Sequence, residues 1–340
     1  MGTGWLWIGF NAFVLVMLAL DLGVFHRTSH EVSFKQAIAW TLVWVFCALA
    51  FNFWIWHDPA FFFTDSMLRE YTAAGKLPAG ATMADLGDQA ALEFLTGYLI
   101  EKSLSVDNVF VFAMTFSYFS VPPAYQRKVL LWGILGALVM RAVMIFAGAA
   151  LIHEFSWVVY PFGGFLIVTG IKMLVQMEQR FEPEANLVVR GFKRIMPVTT
   201  GYREDRFFVT EKGVRHATPL FVVLLVVEFT DLIFAVDSIP AIFAITTDEF
   251  IVFTSNVFAI LGLRSLYFAL AGIMEKFHLL KIGLGFVLVF VGIKMCLGHT
   301  AYKIPTGVSL GVVMIILAAA VAASLLFPKR ARSEAPRRPE

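Results

Sequence analysis

Nine stretches of this 340-residue chain approach or meet the roughly 20 predominantly apolar residues that a helix needs to cross a hydrocarbon core of about 30 Å. They cover 5–25, 36–56, 93–119, 129–152, 157–176, 219–245, 251–274, 282–297 and 308–327. With 59% hydrophobic and only 15% charged residues, the chain cannot present a mostly polar surface to water, so lipid must be the solvent for much of it. The expected fold is therefore all-α, a polytopic membrane helical bundle of about nine transmembrane helices. The first stretch lacks a basic leader and a small-residue cleavage site, and is read as a retained span.

Basic residues set the expected orientation, because Lys and Arg collect in short cytoplasmic loops. With the N-terminus outside and the C-terminus in the cytoplasm, nineteen of the 27 Lys and Arg fall inside, eight of them between Arg180 and Arg215. Only Arg69, Lys76 and Lys303 fall outside, where the loops are acidic. The transmembrane unit is expected to span 1–327, with a cytoplasmic loop over 177–217 and a charged, Pro-rich, disordered tail over 328–340. Within the loop, Val188, Phe192 and Ile195 share one face among basic residues, as an interfacial helix would have it. A short hairpin is expected around Glu211, Lys212 and Gly213.

Three markers recur in the same order. SVDN (Ser105 to Asn108), Arg141 and GIKM (Gly170 to Met173) lie in stretches three to five; AVDS (Ala235 to Ser238), Arg264 and GIKM (Gly292 to Met295) lie in six to eight. This predicts a repeat of three-helix units, about 93–176 and 219–297. An odd number of spans in each unit makes the repeat inverted, the arrangement by which secondary transporters form a substrate site near the midplane. Asp107 and Asp237 are its expected facing pair.

The chemistry concentrates in EKSLSVDNVFVF from Glu101 and EFTDLIFAVDSIPAIFAIT from Glu228. Each acid costs about 3 kcal/mol at a helix centre, so Glu101, Asp107, Glu228, Asp231 and Asp237 are hard to explain as packing. With Asn108 they form an oxygen-only donor set suited to Mg, Ca or Mn, whereas Zn or Cu would call for His or Cys. Asp231 and Asp237 lie about 120° apart on a continuous helix. A break at Pro240 is expected to let them converge.

Arg141 and Arg264 read either as countercharges to the acids when the ion is absent or as permanent packing ion pairs. Asp21 reads as a carboxylate at the cytoplasmic mouth or as an ordinary juxtamembrane acid. No resident cofactor, nucleic-acid partner or enzymatic motif is expected. Only two cysteines occur and no phosphate loop or nucleophile elbow is present.

The two acidic motifs, together with FFVTEKGVRHATPLF and LDLGVFHR, closely resemble the TerC/Alx family of bacterial membrane proteins, itself similar to exporters of the LysE type. The resemblance runs from the first stretch through the eighth. It implies manganese export across the bacterial inner membrane, with Mn²⁺ as the transported ion, and Asp107, Asn108, Glu228, Asp231 and Asp237 match the family's acidic motifs. The family name also travels with tellurite resistance, pH response and a redox role. A second reading is thus an accessory protein whose basic loop docks secretion or metal-loading partners.

Overall fold

A computed structural model describes residues 4–26, 34–175, 187–211, 213–270, 279–298, 300, 302 and 304–327, with the side chains at 21–26, 107, 110, 156, 187, 188, 193 and 270 outside the description. The tail over 328–340 and the side chains of Asp21 and Asp107 therefore lie outside the described residues. The chain begins with α1 (Gly4–His26) and α2 (Phe34–His57), then two short helices, α3 (Pro59–Phe62) and α4 (Asp65–Ala73). Next come α5 (Met83–Tyr118), α6 (Pro123–Glu154) and α7 (Val159–Val175), then α8 (Leu187–Ile195) and a hairpin of β1 (Phe208–Glu211) and β2 (Val214–Ala217). The last five are α9 (Pro219–Phe243), α10 (Glu249–Leu261), α11 (Leu263–Leu270), α12 (Leu280–Leu297) and α13 (Thr306–Leu326).

Each of the nine apolar stretches is mainly helical where it is described. Among the described residues six helices are long and apolar enough to cross a membrane: α2, α6, α9, α12, α13 and the α10–α11 segment over Glu249–Ala269. Among the residues whose side chains are described, α1 contributes the apolar run Gly4–Leu20 and α7 the run Val159–Val175. The remaining stretch lies in the 36-residue α5, which carries Glu93, Glu101, Lys102 and Asp107. Polarity is inverted relative to a water-soluble protein. Ile8, Phe46, Val168 and Ile315 are 65–73% exposed on the outside, whereas Glu93, Glu101, Asn108, Arg141, Asp231 and Arg264 are buried within. Lipid solvates the first group, and the bundle interior must satisfy the second.

Two features were not legible as apolar periodicity. α5 starts ten residues before the apolar stretch does, at a capping box in which Thr82 accepts from the Asp85 amide and Asp85 from the Thr82 amide (2.7 Å). The full helix is about 54 Å long, so it projects well beyond a hydrocarbon core. α4 is amphipathic and buries Met67 and Tyr71, one turn apart, against the bundle.

α5, α6, α9 and α10 pack on one another as the centre of the bundle, with α2 and α13 against α5. α7 and α12 form the most intimate pair. Their crossing is reciprocal: a Cβ on Gly170 would lie 2.7 Å from the Gly285 carbonyl, and one on Gly292 would lie 2.6 Å from the Gly163 carbonyl. Gly163 and Gly285 hold matching places seven residues before the two GIKM glycines. The antiparallel pairing 163 with 292 and 170 with 285 is the pattern an inverted repeat would produce.

Three local expectations are corrected. α9 runs unbroken through Pro240 to Phe243, because Pro240 sits in the last turn, where the missing N–H removes a single bond from an end already fraying. The interruption falls instead in the seventh stretch, between α10 and α11 at Gly262, where Lys102 Nζ donates to the Ala259 carbonyl (3.2 Å). On α8 the inward face is Val189 and Phe192, packed against Val222, Val226 and Phe221 of α9, so Ile195 points away, 85% exposed. The hairpin forms where expected, Glu211 pairing with Val214 around Gly213 at φ +79°.

Candidate metal-ion site

α5 places Glu101, Ser105 and Asn108 at i, i+4 and i+7, hence on one face, and that face is turned to α6 and α9. α6 contributes Arg141, α9 contributes Asp231 and Ser238, and α10 contributes Asn256. All seven side chains are buried.

Arg141 is the hub. Its Nε donates to Asp231 Oδ2 (3.3 Å) and its Nη2 to Asp231 Oδ1 (3.1 Å), a bidentate grip on one carboxylate. Its Nη1 donates to Glu101 Oε1, to Asn256 Oδ1 (3.3 Å) and to Ser238 Oγ (3.4 Å). Asn256 Nδ2 donates to the other Glu101 oxygen (3.4 Å), and Asn108 Nδ2 to Asp231 Oδ1 (3.2 Å). The cluster thus joins four helices and sets two carboxylates against one guanidinium. Asn108 Oδ1 is buried without a hydrogen-bond partner, an acceptor left open beside the carboxylates.

Glu101 and Asp231 each stand six residues before the aspartate of their motif, and Asn108 and Ser238 each follow it. Arg141 therefore binds matching positions relative to the two sequence motifs. The pairing realised among described side chains is Glu101 with Asp231, not one that involves Asp237. Asp237 lies on another face of α9, partly buried, where it accepts from Thr169 of α7 (3.4 Å). Without a break in α9 the 120° between Asp231 and Asp237 persists, and the two acids do not converge. Asp107, central in α5, has its side chain outside the description, as does Asp21 near the end of α1.

Glu228 is one turn before Asp231, with its carboxylate filling the space over Gly136 of α6; a side chain at that glycine would displace it. Arg264 is buried on α11 beside Ser265, which accepts from Thr41 (3.1 Å). Among the described residues no three His, Cys, Asp or Glu side chains are grouped to hold a metal ion. Of the six oxygen donors expected from sequence, Glu101, Asn108 and Asp231 come together; Glu228 flanks them and Asp237 stands apart. Asn256 was missed, although an amide inside the apolar run from Phe250 to Leu261 is itself a signal of a buried polar contact.

Comparison with known proteins agrees with this architecture. The family model described as integral membrane protein TerC family matches residues 86–332, which include every residue of the cluster. The chain is similar to an uncharacterized membrane protein, STKORF319, of Myxococcus xanthus, at 49% identity over 97% of this chain and 95% of that one. It is 50% identical to Alx of Escherichia coli K12, named as a candidate membrane-bound redox modulator, over 93% of both chains. An uncharacterized membrane protein of Rickettsia bellii is 38% identical over 94% of this chain and 97% of its own. No solved structure matches. With a family match over most of its length and relatives aligned nearly end to end, the chain belongs to the TerC family of integral membrane proteins.

Proposed function

We propose that the protein moves a hard divalent cation, manganese foremost, out of the cell across the bacterial inner membrane, with Glu101 and Asp231 as the carboxylates that hold it. The observation that carries this reading is the bridge from Arg141 to both acids at the junction of α5, α6 and α9. Removing two carboxylates from water is tolerable only with a compensating cation, and the guanidinium supplies that charge in the ion-free state. A divalent cation supplies more charge in less volume. Its arrival would release Arg141, and the freed oxygens of Glu101, Asp231 and Asn108 suit a hard ion.

Asp107, Glu228 and Asp237 extend the acidic path along α5 and α9 in this reading. Asp21 is its carboxylate at the cytoplasmic mouth, and Arg264 its second countercharge. Rocking of one three-helix unit against the other, about the glycine-lined crossing of α7 and α12, would alternate access.

The test is the metal content of cells expressing wild type or Asp231→Asn at equal membrane abundance, across manganese, magnesium and calcium. Wild type is expected to lower cell manganese and the variant to fail. Equal lowering by both removes Asp231 from the path.

A second reading, an accessory membrane protein that docks a cytoplasmic partner, draws on Ile195, 85% exposed at the end of α8 beside Arg194. Stoichiometric co-purification of one partner, with no cation flux after reconstitution, would favour it. The redox role in the name of Alx finds little chemistry here, since Cys47 and Cys296 are both free and lie on α2 and α12.

A further inference from the structure

A cavity of about 1040 Å³ opens where α1, α4, α6 and the start of α10 meet. Its lining includes Asn11, Glu70, Lys76, His153, Asp248 and, at its deep end, Ala142. From His153 to Ala142 it follows α6 for about 16 Å. Ala142 directly follows Arg141, so the cavity reaches the level of the buried cluster. A second cavity, about 460 Å³ between α1 and α2, is lined by Trp, Phe, Leu, Ala, Gly and Cys47 without one charged residue. Lipid suits the second; the ionic mouth of the first calls for water.

One wall of the larger cavity is unusual. Glu93 of α5 is fully buried, and three donors converge on it: Tyr71 Oη (3.0 Å), Lys76 Nζ (3.2 Å) and Gln89 Nε2 (2.9 Å). Tyr71 and Lys76 also line the cavity, so they stand between its space and the Glu93 carboxylate. Lys76 lies over the Tyr71 ring (4.5 Å to its centre) and reaches Thr246 before α10 (3.4 Å). Burial first, then the neighbouring Glu93, pushes the Asp248 carboxyl above its ordinary range. Tyr71 sits on α4 and Lys76 three residues after its end, both outside the apolar spans.

We propose that this cavity is the aqueous vestibule by which the transported cation leaves the protein, and that Lys76, seated on Glu93, is a tethered cation closing its wall. The proposal rests on the transport reading for its cargo. Withdrawal of Lys76 exposes Glu93 to the vestibule, which gives the departing ion a carboxylate beyond the Glu101 and Asp231 pair. The ammonium's return restores neutrality behind it.

The test is the water accessibility of single cysteines in full-length protein carrying Cys47→Ala and Cys296→Ala. A cationic, membrane-impermeant methanethiosulfonate is applied to intact cells and to inverted vesicles. Ala142→Cys is expected to react from one side only, at least about tenfold faster than Val143→Cys, which is 63% exposed on the lipid face of the same helix. Adding Lys76→Met is expected to raise the Ala142→Cys rate several-fold. Equal rates for Ala142→Cys and Val143→Cys from both sides would make the cavity lipid-filled and overturn the vestibule. An unchanged rate with Lys76→Met would overturn the latch. Thiol labelling reads water and not flux. An unreactive Ala142→Cys in protein that still exports therefore overturns the vestibule alone, and a reactive one in protein that moves no cation overturns the transport reading.

Discussion

Arg141→Gln is the most informative single perturbation. The guanidinium makes five hydrogen bonds, three to the carboxylates of Glu101 and Asp231, and all the groups concerned are buried. A glutamine amide keeps a donor but removes the only positive charge in the cluster, leaving two carboxylates to repel in a medium of low dielectric. Breaking a buried pair by deleting one partner costs about 3–5 kcal/mol. The loss expected here lies at the lower end of that range, about 3 kcal/mol. Thermal unfolding of purified protein in detergent should therefore fall clearly below wild type in the absence of divalent ions. Manganese should restore much of the loss, because a ligand at 100 times its dissociation constant adds about 2.7 kcal/mol to the state that binds it. In wild type the same ion must first release Arg141, so its stabilising effect should be smaller. A variant that melts like wild type, or gains no more from manganese than wild type does, would refute the countercharge argument.

Gly170→Val should force α7 and α12 apart, since a Cβ there already lies 2.7 Å from both the Gly285 carbonyl and Val289; a destabilisation of at least about 1–3 kcal/mol is expected in detergent melts. Thr82→Ala removes the cap of α5 and should cost about 1 kcal/mol, read as faster amide exchange in the first turn of that helix. Hydrogen bonds from Thr82 hold the Asp85 carboxyl below its ordinary range, so its stabilising contribution is complete above about pH 4 and fades as pH falls through the lowered value; Asp85→Asn should flatten the acid side of the stability profile. Reporter fusions at Gly80 and Arg203 should report opposite sides of the membrane, and equal signals would sink the topology and the inverted repeat with it.

Apolar length announced the helices because lipid leaves a spanning backbone no alternative, and all nine stretches are mainly helical where described. The same rule was blind to α3, α4 and the first ten residues of α5, whose order depends on a cap and on the burial of Met67 and Tyr71. In the site, helical geometry was sound and the device invoked to escape it was not. The 120° between Asp231 and Asp237 holds, whereas Pro240, in the final turn, breaks nothing. Glu101, Asn108 and Asp231 were named as oxygen donors, and Arg141 either as a countercharge to the acids or as a packing ion pair. Its choice of Glu101 and Asp231 is a tertiary fact, although both residues stand six places before the aspartate of their motifs. Glu93 was read as the start of a span. Its donors Tyr71 and Lys76 arrive from a segment with no apolar signal, so their convergence could not be seen in the chain alone.

The central claim is that a divalent cation crosses the bilayer through the carboxylates that Arg141 bridges. Purified protein reconstituted in liposomes, with manganese on one side and a manganese-quenched dye on the other, reads that flux directly. Wild type should quench the dye, and Glu101→Gln and Asp231→Asn, inserted in equal amount, should each reduce the rate at least about tenfold. Wild-type rates from both variants, or no flux from wild type, would contradict the account.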